Sequence, residues 1–311
     1  MTPVALVQHR DRQQLSQLPI ADAQRKLIQM WLHGKTESTV KAYQHYITKF
    51  LAFLGKPLKA VTLEDLYDFA ESLVELAPNS QKIYLSAVKS LLSFAHKIGY
   101  IPFNVGSALK LKKTADTLNE RLLSENEIQK MIWATEEAEY RYGKQKQRDL
   151  LILRLIYVAG MRVSELVELT WFDVTPRGER GQITVTGKGE KTRTILLPQN
   201  IWADLIAFRG KAPDKAPLFP SRGGGKGKAP SGGHLDRTQI NRIISAATLR
   251  AKINKKVSPH WLRHAHATHA LEKGMNIGLV QKTLGHDNVS TTSRYLHARP
   301  DDSSALCFVN I

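Results

Sequence analysis

Apolar residues recur at spacings of three and four through the first third of the chain, the period of amphipathic helices. Ala21–His33 carries Leu27, Ile28, Trp31 and Leu32. A second helix is predicted to begin near Ser38 as N-cap, with Val40, Tyr43, Ile47, Phe50, Leu51 and Leu54 on one face, and to stop at Gly55-Lys56-Pro57. Thr62-x-x-Asp65 has the spacing of a capping box, with Asp in the place of Glu, and opens a third helix. Pro78-Asn79-Ser80 separates it from a fourth, which carries Ile83, Tyr84, Ala87, Val88, Leu91, Leu92 and Ala95 and ends at Gly99. Four helices with one apolar face each make a small all-helical domain.

The polar, basic stretch KLKKTADTLNER, residues 110–121, reads as a linker. Ser124-x-x-Glu127 then starts a helix near 125–138, and another follows near 147–159. The period next changes to two: 183–186 and 193–197 are short strands joined by a hairpin turn, Gly187-Lys188-Gly189-Glu190-Lys191. Helices resume at 199–209, 236–250, 259–272, 276–284 and 289–296. Ser221–Gly233, rich in Gly and Lys, reads as a surface loop, with phosphate contact as the alternative. The predicted layout is a flexible N-terminus over 1–20, a helical domain over 21–112, a linker over 113–122 and a mainly helical domain with a small β-sheet over 123–311.

Composition narrows the partners. A length of 311 residues suits two domains, and 42% hydrophobic residues supply ordinary cores. The formal charge of +17 is shared by both halves, which favours binding along duplex DNA through phosphate contacts, although charge alone also fits a merely soluble basic protein. The single cysteine, Cys307, excludes an intramolecular disulfide and a cysteine-based zinc site. No stretch has the length and apolarity of a membrane span, and MTPVALVQHRDRQQ lacks the apolar core of a secretion signal. A cytoplasmic, nucleoid-associated protein is expected, with no membrane partner.

Several polar residues stand in unexpected company. Arg162 follows the apolar run LLILRLIYVAGM, and its guanidinium must be paired or must hold an anion; Glu165, one turn on, can orient it or form a purely structural pair with it. Lys188 sits on a Gly-Lys-Gly turn that leaves its ammonium exposed, as on any solvated hairpin. Lys191 and Arg193 read as phosphate contacts or plain surface. His260 and Arg263 share one helix face just after Pro259, near a helix N-terminus that favours an anion. His264, His266 and His269 crowd the same helix. With no H-E-x-x-H pattern no metal site is expected, and His264 and His269 read as structural. Leu284-Gly285-His286 ends a helix, and Tyr295 follows nine residues later.

Singly these signals are weak, but their order is specific. Arg162, Lys188, His260-x-x-Arg263, Leu284-Gly285-His286 and Tyr295 resemble the site set of the tyrosine recombinases, the phage integrases and Xer-type resolving recombinases. The matching stretches are AGMRVSELVELTW, TGKGEKTR, SPHWLRHAHATHAL and LVQKTLGHDNVSTTSRYLH, with TESTVKAYQHYITKFLAFL resembling the family's helical, SAM-like core-binding domain. The resemblance implies a site-specific DNA strand transferase, needing neither metal nor nucleotide cofactor, that cuts duplex DNA through a 3′-phosphotyrosyl intermediate. It implies that Tyr295 attacks, Arg162 and Arg263 clamp the phosphate, Lys188 protonates the leaving 5′-oxygen, and His260 helps manage the tyrosine proton and hydrogen-bonds the phosphate. His286, where other members carry Trp, adds a hydrogen bond or packing, and Glu165 supports the site. Two basic domains forming a C-shaped clamp, a monomer in free solution and a homo-tetramer on synapsed DNA are the implied assembly. The tail ending ALCFVNI docks on a neighbouring subunit or on its own domain. The resemblance departs at His266, where an aromatic is common, and in the length of the 221–233 loop.

Overall fold

The sequence's apolar stripes become four helices around one core: α1 Ile20–Leu32, α2 Glu37–Leu54, α3 Leu63–Glu71 and α4 Pro78–Lys97. The structure, a computed structural model, describes residues 19–111, 121–187, 191–221, 233–286, 288–293 and 295, with backbone only at 289 and 290. Leu27, Ile47, Phe50, Leu66, Phe69, Val88, Leu91 and Leu92 are buried between these helices. The Phe50 and Phe69 rings meet edge to face at 5.0 Å, and burial of each contributes about 2–3 kcal/mol. Trp31 stacks on Tyr43 at 4.9 Å, and its Nε1–H donates to Ser90 Oγ at 3.2 Å, which ties α1 to α2 and α4.

Several helix boundaries differ from the sequence reading; the helix expected near 147–159, for one, begins at Gly143. The cap position of α2 is Thr36 rather than Ser38. Pro78 opens α4 instead of separating it from α3, because the first helical position needs no N–H donor and suits the fixed φ of proline. The Thr62–Asp65 capping box is present as read: Asp65 N–H donates to Thr62 Oγ1 at 3.2 Å, and Thr62 N–H donates to Asp65 Oδ2 at 2.7 Å.

By its internal contacts the chain divides into Met1–Ala115 and Asp116–Ile311. The second unit begins with α5 Glu125–Glu137, capped by the reciprocal Ser124–Glu127 pair, then α6 Gly143–Val158 and the short α7 Val163–Glu168. A three-stranded antiparallel sheet follows in the order β1 Val174–Arg177, β2 Arg180–Thr186, β3 Thr192–Leu197. α8 Gln199–Arg209, α9 Arg237–Arg250, α10 Pro259–Glu272, α11 Ile277–Leu284 and α12 Val289–Ser293 complete it. α6 buries Leu151, Ile152, Leu153, Leu155 and Ile156 on more than one side, which explains its continuous apolar run.

β1 and α7 are additions to the sequence reading. VTPR carries a proline and little apolar alternation, as an edge strand does, so its period was too short to read. In the hairpin, Ile183 pairs with Ile195 and Val185 with Arg193. Successive residues of a strand face opposite sides, so Arg193 shares the inward face of Ile195 and Leu197, both buried. Lys188 lies outside the described residues, as do most of the expected linker, most of the 221–233 loop and the chain beyond Tyr295.

Candidate active site

The site is assembled around one buried carboxylate and one helix end. Gly160, in the left-handed conformation at φ +58°, turns the chain out of α6; a Cβ there would stand 2.7 Å from the His266 ring and 2.8 Å from Leu284. Arg162 then caps α7, and its backbone N–H donates to Glu165 Oε2 at 2.8 Å. Arg162 Nη1 donates to Glu165 Oε1 at 2.7 Å. Arg193 reaches the same carboxylate from β3, Nη1 to Oε1 at 3.0 Å and Nη2 to Oε2 at 2.8 Å. Burial opposes the Glu165 charge, but the hydrogen bonds from Arg193 and Arg162 outweigh it and hold the carboxyl below its ordinary pKa.

The other ends of these arginines converge on the C-terminus of α11. Thr283 C=O accepts from Arg193 Nε at 2.7 Å, Leu284 C=O from Arg263 Nη2 at 2.7 Å, and Gly285 C=O from Arg162 Nη2 at 3.0 Å. Three consecutive carbonyls thus take three guanidiniums. Those carbonyls are what a helix leaves unpaired at its end, where its dipole is negative. Gly285, at φ +64°, supplies the left-handed cap. The second Arg263 fork donates to Gly160 C=O at 2.5 Å, so this fully buried guanidinium is anchored at two chain turns. Burial, and then the Arg162 charge, lower its pKa to about 10.

The tyrosine end is built from the following turn. His286 Nδ1 is hydrogen-bonded to Thr292 Oγ1 at 2.9 Å, and Tyr295 N–H donates to Thr292 C=O at 3.0 Å. The Tyr295 ring is buried beside Leu122, Ala267, Val280 and Leu284 and lies nearly parallel to His286, with centroids 6.4 Å apart. Its hydroxyl is hydrogen-bonded to His264 Nδ1 at 2.5 Å. His264 in turn lies against His260, ring centroids 4.0 Å apart, one turn earlier on α10.

Burial first, and then the nearby cations, lower the pKa of three of the imidazoles. Desolvation first, then Arg263, Arg121 and Arg162, lower the pKa of His260, although its side chain still reaches solvent. Desolvation and the charges of Arg263, Arg162 and Arg193 bring His286 down to about 4. His266, desolvated against Gly160, is also brought down to about 4. A cleft of about 610 Å³ lies beside this group, lined by Arg162, Lys191, Arg193, Lys282, Gly285 and His286. Arg162, whose side chain is 39% exposed, is the guanidinium that reaches it most freely; Arg193 is 9% exposed.

Of the residues singled out from the sequence, Arg162, Glu165, His260, Arg263, His286 and Tyr295 lie in this one unit and connect through the contacts above. Two side chains change status. Arg193 is not plain surface: its side chain is largely buried and paired with Glu165. Strand alternation from Ile195 and Leu197 carried that signal. His264 is bonded to the phenol itself, whereas His269, buried on the same helix, is hydrogen-bonded to Tyr157 at 3.0 Å. No sequence pattern distinguished those two. Among the described residues, no group of three His, Cys, Asp or Glu side chains is placed to hold a metal ion, and no helix is long and apolar enough to cross a membrane.

Comparison with known proteins agrees with this fold. Residues 121–301 match the phage integrase family, and residues 24–98 match its N-terminal SAM-like domain. A tyrosine recombinase of Thermosipho africanus is 31% identical over 271 residues, 84% of this chain and 89% of that protein. The tyrosine recombinase XerD of Vibrio cholerae is 30% identical over 281 residues, 86% of this chain and 88% of its own. The crystal structure of the XerH site-specific recombinase bound to palindromic difH substrate, a post-cleavage complex, shares the fold with a TM-score of 0.71 at 22% identity, covering 89% of this chain and 80% of that one. Fold and relatives define a tyrosine-type DNA strand transferase, mainly helical with a small sheet. The chain belongs to the phage integrase family of tyrosine recombinases.

Proposed function

We propose that this chain is a site-specific recombinase that cuts and rejoins duplex DNA through a covalent bond between Tyr295 and a 3′-phosphate. The observation that carries the reading is the placement of the Tyr295 hydroxyl: it is hydrogen-bonded to the helix that bears His260 and Arg263, beside the carbonyl-anchored arginines. Transesterification at phosphorus needs a nucleophile, positive charge around the pentavalent centre, and a proton for the leaving oxygen. Tyr295 Oη forms the bond to phosphorus as the bond to the 5′-oxygen breaks. Arg162 and Arg263 stabilise the non-bridging oxygens, since forked guanidiniums match phosphate. Lys188, on the β2–β3 turn, gives the leaving 5′-oxygen its proton. His260 donates to a phosphate oxygen, His286 packs the tyrosine ring, and Glu165 orients Arg162.

The phosphotyrosyl bond conserves the energy of the phosphodiester, so a 5′-hydroxyl of a second strand reverses the reaction without nucleotide or metal. Exchange between two duplexes calls for four such sites, and we therefore propose a tetramer on paired DNA and a monomer free in solution. Residues 21–112 are the core-binding domain and 123–311 the catalytic domain in this reading, joined by 113–122.

The test uses a pool of nicked suicide duplexes randomised on both sides of the nick, so that the cut fragment diffuses away and traps the adduct. DNA that remains on the denatured protein is sequenced, and the recovered duplex becomes the substrate. Recovery of such DNA, lost in Tyr295→Phe and in Arg263→Lys, is expected. Equal adduct in Tyr295→Phe refutes the nucleophile, and failure of the wild-type protein to trap any duplex refutes the activity.

A further inference from the structure

We propose that His264, rather than His260, is the group that takes the proton from Tyr295 during cleavage and returns it during resealing. This rests on the reading of Tyr295 as nucleophile. The geometry is direct: His264 Nδ1 stands 2.5 Å from the Tyr295 hydroxyl, while the His260 ring lies against the His264 ring, 4.0 Å between centroids. A general base must lie within hydrogen-bonding reach of the proton it removes. Residues spaced by four on a helix stack on one face, so His260 and His264 divide the work by position. His260, near the N-terminus of α10, is left for the phosphate, and His264, one turn deeper, for the phenol.

The surroundings favour the transfer. Arg263, on the same helix, interacts with Tyr295 as well as with Arg162, Glu165 and Arg193, and Arg121 and Arg162 act on the neighbouring His260. The positive charge of Arg263 stabilises a phenolate at Tyr295 as the proton leaves. Each step balances. As Tyr295 Oη bonds to phosphorus, its proton moves to His264 Nδ1, the bond to the 5′-oxygen breaks, and Lys188 supplies that oxygen's proton. In resealing, the incoming 5′-hydroxyl loses its proton to Lys188, the phosphotyrosyl bond breaks, and His264 Nδ1 reprotonates Oη. The buried ring of Tyr295, held by Leu122, Ala267, Val280 and Leu284, keeps the hydroxyl on Nδ1.

The experiment measures single-turnover adduct formation on the selected suicide duplex, in its natural form and with sulfur replacing the bridging 5′-oxygen. A sulfur leaving group needs no proton, so it rescues loss of the acid but not loss of the base. His264→Ala is expected to slow cleavage about 100-fold, the lower end for general base catalysis, with unchanged DNA affinity and no rescue by sulfur. Lys188→Ala, by contrast, is rescued. His264→Asn, whose amide oxygen can accept the same hydrogen bond but not keep the proton, guards against misfolding. It is expected to melt like the wild type and to cleave as slowly as the alanine variant. A wild-type rate in either variant, or rescue of His264→Ala by sulfur, overturns the proposal. Adduct that survives in Tyr295→Phe instead sinks the nucleophile reading and leaves a separate signature.

Discussion

Replacing Glu165 by alanine should be among the most damaging single changes in the catalytic unit, and its size can be worked from the contacts. The carboxylate, 4% exposed, accepts both forks of Arg193 as well as the backbone N–H and one fork of Arg162. Arg162 is exposed enough to regain water, so its share is small. Arg193 is not, and without Glu165 its hydrogen-bond acceptor among the described residues is the Thr283 carbonyl. A buried charge stripped of its partner costs about 3–5 kcal/mol. In a unit of this size each kcal/mol shifts the melting temperature by about 2–4 °C, so a fall of about 6–20 °C is expected by calorimetry of the full chain at neutral pH. Arg193→Met added to Glu165→Ala should restore part of that loss, because it removes the stranded charge. The effect also has a pH signature. The folded pKa of Glu165 lies below the ordinary carboxyl value of 4.5, so its contribution is complete above that value and vanishes as pH falls through the lower folded one. The gap between wild type and variant should therefore be constant near neutrality and close in acid. A Glu165→Ala protein that melts within about 1 kcal/mol of the wild type, the level of a surface pair, refutes the central role given to this carboxylate.

Arg162→Ala should melt close to the wild type, since its side chain is partly solvated, yet yield no covalent DNA adduct on denaturing gels. Gly285→Ala should cost about 1–3 kcal/mol for the left-handed backbone alone, measured by denaturant unfolding; its Cβ would also sit 3.0 Å from Arg193 Nη1 and slow cleavage. His266 and His286, both brought to about 4 from 6.5, bind protons more readily when unfolded, so stability should fall as pH drops from about 6.5 toward 4. His266→Phe should flatten that fall in a series of melts across pH, and an unchanged slope would count against the desolvation assigned to His266. Affinity for duplex DNA should decline linearly in log–log form with salt, as a chain of charge +17 releases counterions; a flat response would exclude phosphate contacts as the main source of binding.

Much of this site was legible because its residues break local rules. An arginine after a run as apolar as Leu151–Ala159 demands a partner, and Glu165 provides it. The capping boxes at Thr62 and Ser124 were readable because both halves of the reciprocal bond are side chains at fixed spacing. What escaped is tertiary. Nothing in PHWLRHAHATHAL says which imidazole meets the phenol, because α10 is surrounded by other elements and each histidine faces a different one: Tyr295 for His264, Gly160 for His266, Tyr157 for His269. Arg193 was missed for another reason. Its flanking charges suggested surface, whereas the two-residue period of β3 already turned it toward the core.

The same geometry explains why a Leu-Gly-His turn suits the proposed phosphate site. Three guanidiniums repel one another, and a buried cation is costly unless it is paired. A single carboxylate cannot neutralise all three, and a second would cancel the positive field that the phosphate needs. The end of α11 resolves the conflict by offering partial charges in place of full ones. The carbonyls of Thr283, Leu284 and Gly285 each take one arginine, and the left-handed Gly285 leaves the chain turning away so that the carbonyls stay open. The arginines are held rigidly while most of their positive charge survives for the substrate. The residue after that turn, His286, then faces Tyr295, so one helix end both anchors the arginines and positions the ring beside the proposed nucleophile.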